Sequence, residues 1–594
     1  GALWFGQGAV SEAYGVGGSG YGGRGGAGVF GDLNAADVYS PGDSLGGAPY
    51  GAAAGPIQAG SGSGRHQGMA CSFGGGLVRF EVTNAVTVNG VVTANGEQEA
   101  DSRGGGAGGG IWITAGTFQG AGALSAAGAN SIGYGGAGGG GRLALIYDTT
   151  AQAGVSPQPT FRLAAPGGFN LNNSALDNEK LRRSRGEPGT IYLSDTAFFP
   201  ASPLQGGRIA IPGFTNWAVQ NLTISNGLAG FPTNFSLTVS NDLTVTGSGG
   251  LEISNSALRI GGNWIADTNA TNASCSFLLG GPAASYTVDG SVLVNRGWLE
   301  FRGGDMNANG FTVGRHITLT NGGDFYVYAG ATNGTAGAHG ALVTAGGQIT
   351  VLTNCWVFPY CHPTNGGAPW IKADEFIIAV AGTNAGVNAD FKGYRGSYGS
   401  YQPGLGPGAC LAAAYAVGAA GYGGRGGDGS YSSGWSAGGP TYGSSNMPAD
   451  PGSSSGQYQG TRGGNGGGLV RIQVNRNLIN DGLITANGEP GPSGGSGSGG
   501  AVYIRCKRFI GTGAIRAVGA DGRSNSPGGC GGGGGGRIAI WKTYNLWTGT
   551  PIVVPASVNG GTGGTGGGYF GSNGVPGTVF FGDIPEGGTM FVVH

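Results

Sequence analysis

The sequence is short of the groups that carry out chemistry. Asp, Glu, Lys and Arg make up only 10% of its 594 residues, against about 25% in an ordinary soluble domain, and it has just five histidines and four methionines. The formal net charge is -1. With no basic stripe to neutralise phosphates, nucleic-acid binding is excluded as a main role. Acid-base catalysis and metal binding have little to draw on, so no catalytic residue, no metal site and no cofactor is expected. The seven cysteines (71, 275, 355, 361, 410, 506 and 530) form no C-x-x-C pair, which removes support for a zinc ribbon or a thioredoxin-type redox site. Cys355 and Cys361 are close enough in sequence for a local disulfide, the alternative being buried unpaired thiols. No apolar run approaches the roughly 18 residues of a membrane span. Gly1 opens the chain without a charged-then-apolar leader. Together with the low charge and the wealth of Ser, Thr, Asn and Gly, this gives the expectation of a secreted protein whose signal has been removed.

What the sequence has is glycine, 138 residues of it, without the strict every-third spacing of collagen. Its 24 Phe, 22 Tyr and 10 Trp are too many for a disordered glycine linker, so part of the chain must pack. Much of the glycine is in repeated strings. Gly20-Tyr-Gly-Gly-Arg-Gly-Gly26 returns as Gly421 to Gly427, Gly74-Gly-Gly-Leu-Val-Arg79 as Gly466 to Arg471, and Thr93-Ala-Asn-Gly-Glu97 as Thr485 to Glu489. Gly138 to Gly141, running into Arg142-Leu-Ala-Leu-Ile-Tyr147, is echoed by Gly531 to Gly536 running into Arg537-Ile-Ala-Ile-Trp541. The order is kept throughout, which divides the chain into a first glycine-rich module (1–198), a glycine-poor middle region (199–395) and a second copy of the module (396–594).

Within each copy the apolar segments are short, β-branched and alternating, as at Leu77 to Val82 and Leu469 to Val474, and period two means strands. In the middle region the unit is an apolar residue followed four residues later by an apolar-x-apolar pair, as in Val288 with Val292 and Val294, or Val313 with Ile317 and Leu319. A repeat of roughly 20 to 35 residues with two or three short strands per turn predicts an all-β parallel β-helix, a β-solenoid with long glycine-rich loops, continuous along the chain. A sandwich would instead place hairpin turns about every eight to twelve residues. Small Ala-x-Gly steps, as at Ala94 to Gly96, suit crowded places inside a coil. Asn241, Asn255, Asn295, Asn321 and Asn354 mark turns and would stack into polar ladders. The one stretch that reads as helix is Ser174 to Arg183, a charged surface insertion.

Functional motifs are scarce. Gly60-Ser-Gly-Ser-Gly64 fits G-x-S-x-G, but at this glycine and serine content such matches arise by chance, and no helix follows. Asp428 after Gly423-Gly-Arg-Gly-Gly reads as a turn residue because the string does not recur in tandem. Hydrolysis of a polysaccharide wants two carboxylates set across a cleft. Glu252, Glu300 and Asp324 fall at corresponding positions of different coils, each between two apolar residues, and are expected as an outward, solvated row. The better lead is aromatic. Tyr394, Tyr398, Tyr401, Tyr431, Trp435 and Tyr442, among glycine and serine, could form an adaptable contact surface for sugars or for another protein, or could fold back over the solenoid flank.

The strings Gly-Tyr-Gly-Gly-Arg-Gly-Gly, Thr-Ala-Asn-Gly-Glu and poly-glycine into Arg-Ile-Ala-Ile resemble the glycine-rich repeat regions of large secreted bacterial surface proteins, which are similar to autotransporter-like parallel β-helix passengers. The likeness covers roughly 20–193 and 390–582 and implies an extracellular adhesive or scaffolding role with no catalytic residues to transfer. The expectation is therefore a structural subunit that partners itself head to tail in a fibre at the cell surface. The alternative is a solenoid that binds or cleaves a polysaccharide.

Overall fold

Period-two strands separated by tight turns stack in parallel, each on the strand one coil before it. The structure is a computed structural model that describes residues 17–543 and 556–584, apart from 29–45, 64–71, 99–103, 133–134, 172–183, 200–205, 226, 248, 268–275, 281–284, 305–309, 333–337, 398–401, 411–416, 433, 457–461, 492–494 and 525–527. Two compact units are present, Gly1–Val239 with Leu243–Ser254 and Asp267–Phe277, and Ser240–Asp242 with Asn255–Ala266 and Leu278–His594.

In the first unit β1 (Leu77–Glu81), β2 (Gly110–Ala115), β3 (Arg142–Tyr147), β4 (Thr190–Leu193) and β5 (Gly207–Ala210) pair in that order, always parallel. Val78, Ile111, Leu143, Ile191 and Ile209 stand opposite one another in a single column. All but Val78, in the first strand of the stack, are buried. Each buried aliphatic chain of this kind contributes about 2 kcal/mol. The second unit repeats the scheme. There β6 (Val292–Arg302), β7 (Ile317–Tyr328) and β8 (Trp356–Tyr360) carry the inward column Leu299, Phe325 and Val357. Further on, β9 (Pro369–Ala373), β10 (Leu469–Val474), β11 (Ala501–Arg505), β12 (Arg537–Thr543) and β13 (Thr578–Ile584) carry Ile371, Ile472, Ile504, Ile540 and Phe581. This is the parallel β-helix that the alternation predicts. Asn255, Asn321 and Asn354 take positive φ at its turns, a conformation asparagine tolerates, and Asn321 donates to Asn295 Oδ1 at 2.7 Å, one rung of the expected ladder.

The glycine-rich segments between strands are the second half of the core. Gly531 to Gly536 is buried at all six positions and forms no strand. Its N–H groups donate in rotation: Gly531 and Gly534 to Val417 and Ala420, Gly532 and Gly535 to Ser572 and Val575, and Gly533 and Gly536 to Ala520 and Ala517, at 2.7–3.1 Å. A three-residue rotation without internal hydrogen bonds is the signature of a polyproline II helix. Three further segments approach its Cα atoms and donate back, from Gly424 and Gly427, from Gly499, and from Gly561. Each glycine segment therefore lies among others like rods in a bundle, and a Cβ on any of the six would stand 1.9–2.1 Å from a neighbouring carbonyl oxygen. The first module does the same at Gly138 to Gly141, whose donors go to Ala129, Ser19, Glu187 and Ala126. The Ala-x-Gly steps belong to this lattice: Ala94, Ala126, Ala486 and Ala517 accept from Gly109, Gly141, Gly500 and Gly536.

The charged stretch 174–183 lies outside the described residues. A helix not anticipated from sequence, Thr149–Ala153, is capped by Asp148, whose carboxylate accepts from the N–H groups of Thr150 and Ala151.

Of the two readings of Cys355 and Cys361, a local disulfide or buried unpaired thiols, the structure has the second. Both thiols are free and buried, as are Cys410 and Cys506, and Cys530 is buried as well. Cys361 lies in an apolar cluster with Ala368, Tyr422, Leu469 and Ala501, and its sulfur accepts from Leu469 N at 3.2 Å. Burial pushes the thiols of Cys361 and Cys506 up to about 12 and that of Cys410 up to about 11. We expect these three to remain unmodified by iodoacetamide at pH 8 in the native protein and to react once it is denatured, as read by peptide mass spectrometry. Native labelling of any of the three would contradict this packing.

Candidate functional site

The tyrosines of the repeated strings are explained by the arginine that opens the following strand. Arg142 donates from Nε and Nη2 to the Tyr50 carbonyl at 2.9 and 2.7 Å and from Nη1 to Thr190 Oγ1 at 2.9 Å, with Tyr21 beneath its guanidinium. In the second copy Arg537 makes the same bonds to the Tyr442 carbonyl, at 3.0 and 2.7 Å, and to Thr578 Oγ1, at 3.0 Å, over Tyr422. The correspondence extends to hydroxyls: Tyr50 OH donates to the Ala59 carbonyl, Tyr442 OH to that of Pro451. This cluster ties a tyrosine of the glycine lattice to the start of a strand, and it is structural.

Of the expected contact tyrosines, Tyr442 therefore serves packing. Tyr394 is buried, its hydroxyl pushed up to about 12 by burial first and by Asp450 second. Tyr398 and Tyr401 lie outside the described residues. Tyr431 and Trp435 sit on a small antiparallel hairpin of Gly429–Tyr431 and Gly434–Ser436, Trp435 with 69% of its surface exposed. Tyr431 packs against Tyr569 at 5.2 Å, and Phe570, one residue on, is 72% exposed. Trp435, Tyr431, Tyr569 and Phe570 are the open aromatic group of this region. Sequence reading missed the last two because their hairpin, Thr565–Gly566 with Tyr569–Phe570, is more than 100 residues away along the chain.

The carboxylates are not a solvated row. Glu300 and Asp324 are each 2% exposed and Glu252 is also buried. Alternation gives the face correctly, but that face is covered by its own rings. Trp298, Tyr326 and Tyr360 form a buried cluster with Tyr328 and Phe358 against it, Tyr326 stacks on Phe358 at 4.8 Å and Tyr328 on Tyr360 at 4.3 Å. Register separates the two acids: Glu300 stands opposite Tyr326, while Asp324 stands between Trp298 and Trp356. Glu300 accepts from Arg302 Nε at 2.6 Å, Asp324 from the Trp356 N–H at 3.1 Å, and Glu252 from Arg208 at 2.7 and 3.1 Å. All three are bound by their neighbours rather than paired across a cleft, as two-carboxylate hydrolysis requires. Asp428 is likewise taken by Arg425 and by the Gly438 N–H. Among the described residues no group of three His, Cys, Asp or Glu side chains is placed to hold a metal, and no helix is long and apolar enough to cross a membrane.

Compared with protein-family models, with curated proteins and with solved structures, the chain matches none.

The feature left open by packing is at the strand edges. Among the described residues β1 pairs only with β2, and β13 only with β12. Their inward column is uncovered: Phe80 is 49% exposed and Phe581 54%, with Val579 also in the open.

Proposed function

We propose that the protein is a secreted structural and adhesive protein of the cell surface or extracellular matrix, which assembles head to tail into a fibre. The observation that carries this reading is the pair of uncovered, apolar edges at β1 and β13. An exposed flat edge strand invites another chain, and proteins that stay monomeric blunt such edges with charge, proline or a covering loop. Here the edges keep phenylalanine and valine on the face that the rest of the stack buries. A heterologous contact between two different edges propagates into a filament wherever its rotation does not close a ring. The likeness of the glycine-rich strings to secreted bacterial surface proteins supports the extracellular setting, and the exposed Trp435 and Phe570 supply an adhesive surface.

Electron microscopy and light scattering over a concentration series test this. Filaments that lengthen with protein concentration are the expected result. Monodisperse particles at every concentration would overturn the reading. If such particles bound a glycan array and Trp435→Ala abolished that binding, the carbohydrate-binding alternative would take its place.

A further inference from the structure

The internal repeat shows what covers the counterpart of each open edge, because each edge strand has a copy in the other module. β1 has the sequence Leu77-Val-Arg79 and its counterpart β10 has Leu469-Val-Arg471. β10 is not open: β9 lies on it, parallel, with Ile371 opposite Ile472. One residue earlier, the Arg471 guanidinium lies 3.8 Å from the centre of the Trp370 ring. On its other side Arg471 stands opposite Tyr503. The counterpart of β13, which follows Pro576-Gly577, is β4, which follows Pro188-Gly189. β4 is not open either: β5 lies on it, parallel, with Ile209 opposite Ile191. An edge bare in one module is closed in the other by a parallel strand that extends the inward column.

Resting on the self-assembling reading above, we propose that β1 of a second copy is the strand that closes β13, in parallel register with Val579 opposite Val78, Phe580 opposite Arg79 and Phe581 opposite Phe80. The inward column then runs unbroken from Ile538 and Ile540 through Val579 and Phe581 into Val78 and Phe80, and on to Ile111 and Ile113. The outward row matches as well. Arg79 already lies 4.3 Å from the centre of the Trp112 ring, and Phe580 packs on Trp541 at 5.2 Å. Placing Phe580 opposite Arg79 sets that arginine between two aromatic rings, as Arg471 is set between Trp370 and Tyr503. Glu81 falls opposite Gly582, so like charges do not meet.

The test mixes two full-length variants, Phe80→Cys and Phe581→Cys, under mild oxidation. Parallel neighbours lie within the Cα separation a disulfide spans, about 4.4–6.8 Å. The expected result is a cross-link between residues 80 and 581 of different copies in the mixture, identified by peptide mass spectrometry and absent from either variant alone. Arg79→Glu, an exposed change that should leave the circular dichroism spectrum intact, is expected to raise the critical concentration for filaments about tenfold or more, equivalent to about 1.4 kcal/mol per junction. Filaments that form without the cross-link and ignore Arg79→Glu would overturn this interface and leave the fibre reading standing. Wild-type protein that forms no filaments would overturn both.

Discussion

Gly533→Ala is expected to destabilise the second unit by about 3–5 kcal/mol, seen as a large fall in its urea midpoint. The new Cβ would sit 2.1 Å from the Gly497 carbonyl oxygen and 2.9 Å from the Ala520 nitrogen, and both obstacles are backbone. No rotamer change relieves that overlap; segments must move apart. Moving apart stretches the Gly533 N–H bond to Ala520 and the Gly561 N–H bond to Gly533, now 2.7 and 2.8 Å, and leaves buried amides without partners. Gly90→Ala is the control, because a Cβ there meets nothing within 4 Å, and its expected effect is within about 0.5 kcal/mol. Equal midpoints for the two variants would refute the close packing of the glycine segments.

Arg462→Met is expected to cost a similar amount, about 3–5 kcal/mol, because it strands a buried carboxylate. Arg462 and Glu489 are both buried and joined by two parallel bonds, Nη1 to Oε2 at 2.7 Å and Nη2 to Oε1 at 2.6 Å. Glu489 also accepts from the Asn465 N–H at 3.2 Å. The first module has the corresponding bond, Phe73 N–H to Glu97 at 3.1 Å, in an exposed setting, with Ala70 at the position aligned with Arg462. The arginine thus accompanies the burial of that glutamate in the second module. Arg462→Met combined with Glu489→Gln should recover much of the loss, since a neutral amide costs far less to bury than an unpaired charge. A double variant no more stable than Arg462→Met alone would show that the arginine acts through packing of its stem.

The strands were legible because a side chain reports which way it points. Val470 and Ile472, Val502 and Ile504, and Ile538 and Ile540 recur at every second position, and one period-two rule recovers both strand and face. The glycine lattice was not legible as a core for the converse reason. Its period of three is written in the directions of N–H groups, and six identical residues carry no mark of which neighbour each one addresses. The indirect signals were the invariant step from glycine run to arginine at Arg142 and Arg537, and the Ala-x-Gly steps, which read as crowded corners and prove to be hydrogen-bond acceptors for the run. Glu300 and Asp324 show a different gap: alternation assigns a residue to a face but is silent on whether rings from adjacent coils cover it. Cys355 and Cys361 are near in sequence, but both are buried as free thiols, Cys361 among Ala368, Tyr422, Leu469 and Ala501, and nearness along the chain did not pair them.

A β-solenoid coheres along one direction, each coil holding only the next, so it peels from an edge one layer at a time. Gly531 to Gly536 alters that. Its hydrogen bonds reach segments near residues 417, 424, 499, 517, 561 and 572, so one rod fastens stretches of chain drawn from many separate windings. A pull that lifts β13 must also drag the adjoining rod at Ser572 to Val575 out of its bonds to Gly532 and Gly535. The coils are laced as cloth is laced, and a tear at one thread meets the cross-threads at once.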